Sequence, residues 1–116
     1  MNRPIRILLV SDDDDFAGPV LARAARRGLT MSLVGSGEDL ELAAIGHGAS
    51  VVVLDADVAP RRRTRVATAF AGTHPDVPVL LATTSPTTAS LAGLPLVGKA
   101  SPDEFLRALD RVESGY

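Results

Sequence analysis

The sequence contains no cysteine and no tryptophan, with one tyrosine and three phenylalanines. Without cysteine there is no disulfide framework, no thiolate metal site and no thiol nucleophile. So few aromatics leave no base-stacking platform for nucleic acid. Lysine is nearly absent too: of twelve basic residues eleven are arginine and one is Lys99. A net charge of -2 lacks the basic surplus that general nucleic-acid binding needs. The apolar run in "IRILLVSDDDD" is halted by four aspartates, too early for a signal peptide or a membrane span. A cytoplasmic protein with no membrane contact and no nucleic-acid contact of its own is expected.

What is present fits one domain, 1–116, large enough for a hydrophobic core without staples. Apolar runs alternate with helical patterns. Ile5–Val10, "MSLV", "SVVVLD", "VPVLLATT" and "LPLVG" read as strands. "FAGPVLARAARRG" spaces Phe16, Val20, Leu21 and Ala24 at helical intervals and stops at Gly28. "SGEDLELAAIG" and "RRRTRVATAFAGTHP" predict two further helices, whereas "SPTTASLAG" is weakly helical. In "SPDEFLRALDRV" Ser101 and Glu104 form a capping box, Pro102 suits the first turn, and Phe105, Leu106, Leu109 and Val112 make an apolar stripe. Strands without polar alternation, separated by helices, predict a doubly wound parallel sheet of five strands.

Function in such sheets gathers beyond the carboxyl ends of the strands. Those ends carry Ser11, Asp12 and Asp13, then Asp55 followed by Asp57, then Thr83 and Thr84, then Lys99. Carboxylates brought together from separate strands repel unless a hard cation joins them, and oxygen donors suit magnesium. A carboxylate beside a metal can act as a nucleophile and form an acyl phosphate. A nearby lysine and hydroxyl would hold the phosphoryl oxygens.

This order resembles the receiver domain of bacterial two-component response regulators. The likeness rests on "ILLVSDD", "GSGEDLELAAIGHGASVVVLD", "DVPVLLATT" and "GKASPDEFLRAL", nearly the whole chain. It implies the (βα)5 flavodoxin-like receiver fold. It implies that Asp55 is the phosphoacceptor and that Asp12 binds magnesium directly. The backbone carbonyl of Asp57 would be a further ligand. Thr83, with Thr84 as the alternative, and Lys99 would contact the phosphoryl group. The implied donor is a histidine kinase or phosphotransfer protein. An effector domain or a protein partner would receive the signal, from a stand-alone receiver or from the front part of a longer chain.

The pattern is departed from in several places. Counted back from Gly28, Ser11 stands where the family has its first acid, so Asp13 or Asp14 would have to replace it. The stretch from Thr83 to Lys99 is short by about one helical turn, which predicts a truncated or irregular fourth helix. Leu96 stands near the place of the family's switch aromatic, and Ala100 replaces the proline after the lysine. These departures admit a second reading, a pseudo-receiver that acts as a phosphorylation-independent interaction module.

Plainer roles compete for several residues. Asp14 and Asp15 suit a helix start, and Asp57 suits a turn. Arg61–Arg65 reads as a solvated face, or as a source of positive charge that partly neutralises the acids. His47 and His74 read as loop residues. Gly93, Gly98 and Lys99 mimic a phosphate-binding loop, but Ala100 stands where its hydroxyl belongs and too little chain follows.

Overall fold

A computed structural model describes residues 5–57, 59–84, 90–99 and 101–114. The chain runs β1 (Arg6–Val10), α1 (Asp14–Arg26), β2 (Thr30–Val34), α2 (Leu40–His47), β3 (Val51–Asp55), α3 (Pro60–Thr73), β4 (Val79–Thr83), β5 (Ser90–Leu91), β6 (Leu94–Gly98) and α4 (Pro102–Ser114). The sheet order is β2-β1-β3-β4-β6-β5. The strands β2, β1, β3, β4 and β6 are parallel throughout, so the five-stranded parallel sheet read from the apolar runs is present.

Strand side chains alternate across the sheet, and each set meets its own pair of helices. Ile7, Leu9, Val51, Val53, Leu80, Ala82 and Val97 pack with Phe16, Ala17 and Val20 of α1 and Phe105, Leu106 and Leu109 of α4. Leu8, Val10, Val52, Leu54, Val79 and Leu81 pack with Ala44 of α2 and with Ala67 and Phe70 of α3. Because both faces are covered, β3 is buried at every position, which explains why "VVVLD" shows no polar alternation. The Phe16 and Phe105 rings meet edge to face at 5.2 Å, and Arg23 pairs with Asp103 at 2.7 Å across the two helices.

Helix ends follow local chemistry. Asp13 caps α1 by accepting from the Phe16 amide, and Asp39 caps α2 by accepting from the Leu42 amide. Gly48 closes α2 at φ 61°. Ser101 accepts from the Glu104 amide at 3.4 Å, the first half of the expected capping box. The α3 start is different: Ala59 precedes Pro60 at φ 51° and offers no side-chain cap.

The connection from β4 to β6 differs from the weak helix expected over "SPTTASLAG". Ser90 and Leu91 pair antiparallel with Pro95 and Leu94 instead. Ala92 and Gly93, at φ 53° and 82°, form the two-residue turn between them. Two positive φ angles give a turn whose twist matches a hairpin, while serine, threonine and glycine are poor helix formers. The remainder of that segment, 85–89, lies outside the described residues, as does Ala100. Among the described residues no helix is long and apolar enough to cross a membrane.

Candidate functional site

Parallel pairing aligns the strand ends that carry the predicted site. Asp55 stands opposite Ala82, and Thr83 stands opposite Gly98, so β3, β4 and β6 stop at one level. Hydrogen bonds continue one residue beyond the strands. They run from the Ser11 amide to the Val34 carbonyl, from Ala56 to Ala82 and from Lys99 to Thr83. Among the described residues the buried polar and charged ones are Ser11, Asp55 and Lys99, at 5%, 8% and 8% exposure.

Lys99 is the hub. Its Nζ lies 2.8 Å from Asp55 Oδ2, 2.9 Å from Asp57 Oδ2 and 3.1 Å from Asp13 Oδ2. It also sits 4.8 Å from the centre of the Phe16 ring, whose π face favours a cation. Burial alone would lower the Lys99 pKa, but the carboxylates of Asp55, Asp57 and Asp13 outweigh it and hold the ammonium well above the usual lysine value. The ammonium is therefore a fixed charge at any working pH.

Asp55 is tightly specified. Oδ2 accepts from Lys99 and, at 2.7 Å, from the Ser11 hydroxyl, while Oδ1 accepts from the Asp57 amide at 3.1 Å. The serine in the place of the expected first acid thus donates to Asp55, where a carboxylate would have repelled it. The Ser11 hydroxyl also accepts from the Asp13 amide at 3.0 Å and shapes the turn into α1.

The four aspartates part company within one turn. Asp13 faces Lys99, whose hydrogen bond lowers its pKa. Asp14 and Asp15 occupy the exposed first turn of α1. Asp12 is exposed and bonds to Ser36 instead of Lys99. Its Oδ1 accepts from the Ser36 amide at 2.9 Å, and its Oδ2 is bonded by the Ser36 hydroxyl. Those bonds, led by the hydroxyl, lower the Asp12 pKa, with the positive charge of Arg63 adding to the effect. Arg63 lines one cavity with Asp12, Asp13, Asp55 and Asp57, so one residue of the arginine run does sit among the acids.

Asp57 contributes more than a turn or a carbonyl. Its carboxylate accepts from the Thr83 hydroxyl and the Thr84 amide, both at 2.9 Å, from the Thr84 hydroxyl and from Lys99. Burial would raise the Asp57 pKa, but the Thr84, Lys99 and Thr83 bonds together hold it far below the usual carboxylate range. Both threonines that competed for the switch position therefore bond to Asp57.

Ser11, Asp12, Asp13, Asp55, Asp57 and Lys99 open on a cavity of about 230 Å³. At about 30 Å³ per water, it has room for a phosphoryl-sized group and ordered waters. The donors are all oxygens, which suits magnesium in kind. Among the described residues no three acidic or imidazole side chains are placed to hold one ion, since the carboxylates of Asp13, Asp55 and Asp57 converge on the Lys99 ammonium. Asp12 is engaged with Ser36, Asp55 with Lys99 and Ser11, and Asp57 with the threonines.

Ser36 carried no signal in sequence, whereas Ser11 and Asp57 were placed at the site without their side-chain partners. Ser36 follows Gly35 in "GSG", and a Cβ on Gly35 would approach Asp12 Oδ1 to 3.1 Å. The pairing of Ser11 with Asp55 and the use of the Asp57 side chain depend on turn geometry that residue types do not encode. Neither histidine joins the site. His47 is the last residue of α2, where a loop was expected, whereas His74 lies just past α3 as its C-cap, stacks on Phe70 at 4.4 Å and lies 3.2 Å from Glu41.

No family model and no curated protein matches the chain. Solved structures do match. The chemotaxis response regulator CheY4 of Vibrio cholerae is similar at 19% identity and a TM-score of 0.77, covering 95% of this chain and 99% of its own. The receiver domain of the response regulator NarL from Mycobacterium tuberculosis is similar at 23% identity and 0.70, covering 99% and 100%. An atypical orphan response regulator, described as having a phosphorylation-independent regulatory mechanism, is similar at 17% identity and 0.71, covering 95% and 93%. The chain has the flavodoxin-like fold of response-regulator receiver domains.

Proposed function

We propose that this chain is a two-component receiver whose phosphoacceptor is Asp55. The observation that carries the reading is the buried Asp55 carboxylate at the end of β3, 2.8 Å from a lysine fixed by β6 and open to a phosphoryl-sized cavity. In the reaction an Asp55 oxygen forms a bond to phosphorus while the phosphorus–nitrogen bond of a phosphohistidine breaks. The imidazole leaves with the electron pair. The donor is a histidine kinase or phosphotransfer protein, and the output passes to an effector domain or a protein partner in the cytoplasm. The protein is a switch that assists its own phosphorylation and dephosphorylation, not a turnover enzyme. Lys99 supplies positive charge to the phosphoryl oxygens, and Ser11 orients the attacking carboxylate. Magnesium, if bound, would be held by Asp12, Asp55 and the Asp57 carbonyl, with Asp13 beside them, and would supply further countercharge.

A second reading has its own support. Ser11 stands in place of an acid, Asp12 is tied to Ser36, and the carboxylates of Asp13, Asp55 and Asp57 already have a cation in Lys99. A pseudo-receiver would use the same fold as a phosphorylation-independent docking module. Intact-mass measurement after incubation with magnesium and acetyl phosphate separates the two. A phosphoryl adduct that Asp55→Ala abolishes establishes the receiver. Absence of an adduct, together with absence of magnesium binding by titration, establishes the pseudo-receiver.

A further inference from the structure

The threonines at the end of β4 are spent in an unexpected place. Thr83 Oγ1 and the Thr84 amide reach Asp57 Oδ1, and Lys99 Nζ and the Thr84 hydroxyl reach Asp57 Oδ2. Among the described residues the partners of the Asp55 carboxylate are Lys99, Ser11 and the Asp57 amide, and neither Thr83 nor Thr84 is one of them. A phosphoryl group on Asp55 would be an anion beside Lys99 in need of hydroxyl and amide donors. Lys99 lines the cavity, and Thr83 and Thr84 reach it only through Asp57, so the donors from the ends of β4 and β6 already serve another anion.

We propose that the Asp57 carboxylate is an internal surrogate for the phosphoryl group, holding Lys99, Thr83 and Thr84 engaged until a phosphoryl group on Asp55 displaces it. The inference rests on the reading of Asp55 as phosphoacceptor. Each threonine hydroxyl has a single proton to donate, so a hydroxyl that turns to a phosphoryl group on Asp55 is one that Asp57 gives up. Asp57 therefore competes with the phosphoryl group twice, for donors and as a like charge nearby. The side chain thus restrains a transfer in which its own backbone carbonyl is a candidate participant.

The test is the rate of adduct formation with acetyl phosphate and magnesium, read by intact mass, for the wild type, Asp57→Ala, Asp57→Asn and Asp55→Ala. In this reaction an Asp55 oxygen bonds phosphorus as the bond from phosphorus to the acetate oxygen breaks, and acetate departs with the electron pair. Asp57→Ala should react about tenfold faster, equivalent to about 1.4 kcal/mol. Asp57→Asn keeps an acceptor oxygen and loses the charge, so it should fall between. The Thr84 amide resonance of the unphosphorylated protein should shift in Asp57→Ala, which a merely space-filling role would not require. If Asp57→Ala does not fold, as judged by circular dichroism, the asparagine variant decides alone. Adducts on Asp55 forming at equal or lower rates in the Asp57 variants would overturn the surrogate role and leave Asp55 as phosphoacceptor. Adducts in none of the proteins would overturn both.

Discussion

Lys99 shows how much one residue can hold together. Its side chain is 4% exposed and faces three carboxylates, of which that of Asp55 is 7% exposed. Removing one member of a buried ion pair leaves the other without compensation, at a cost of about 3–5 kcal/mol. Lys99→Met should therefore destabilise the protein by about 3 kcal/mol or more in urea unfolding. Adding Asp55→Asn to that variant should recover part of the loss, because the stranded charge is gone. Equal losses in the single and double variants would show that Asp55 is not what Lys99 stabilises. The Asp57 carboxyl is held below its unfolded value, so it contributes stability that is present above about pH 3.9. That contribution is lost as pH falls through the depressed folded value. Asp57→Asn should accordingly lose less stability between pH 6 and pH 2 than the wild type in thermal melts. At this scale Asp55 and Lys99 were legible, because strand-end position alone places them. Asp12 also lines the cavity as its strand-end position implies, but its tie to Ser36 was not legible, because it depends on a turn that the residue types around it do not announce.

Among the elements, two helices carry residues that oppose local preference. Gly18 and Pro19 lie inside α1, where glycine costs entropy and proline removes a hydrogen-bond donor. Both are exposed, so the buried face of Phe16, Ala17, Val20 and Ala24 sets the helix regardless. A methyl at Gly18 would meet nothing within 4 Å. Ala59 is the converse, an alanine at φ 51°, in a region that suits glycine. Gly18→Ala should raise stability by about 1 kcal/mol, and Ala59→Gly should raise it by about 0.5–1 kcal/mol. Chemical denaturation checks both, and a loss from either would mean that the local backbone geometry is misjudged. The helices and the five long strands were readable because amphipathic spacing and unbroken apolar runs each correspond to one period. The β5 pairing was not, since two residues carry no period and the Ala92–Gly93 turn that creates it looks like a loop.

The molecule as a whole is one sheet shared by two cores. Leu8 and Leu9 are adjacent, fully buried and on opposite faces, so neither core can open without disturbing the strands of the other. This architecture followed from the alternation of strand and helix patterns, which admits few topologies. Its consequence for the site appears on the timescale of proton exchange with solvent. The Ser11, Ala56 and Lys99 amides bond to carbonyls of neighbouring strands just past the strand ends. Function usually sits on loops that open cheaply. Here deuterium should enter these three amides nearly as slowly as it enters the centre of β3, whereas the Arg27 and Gly28 amides of the α1–β2 turn should fill early. The pocket floor would then keep time with the unfolding of the entire protein, and its proton clock would stop only when the sheet itself comes apart.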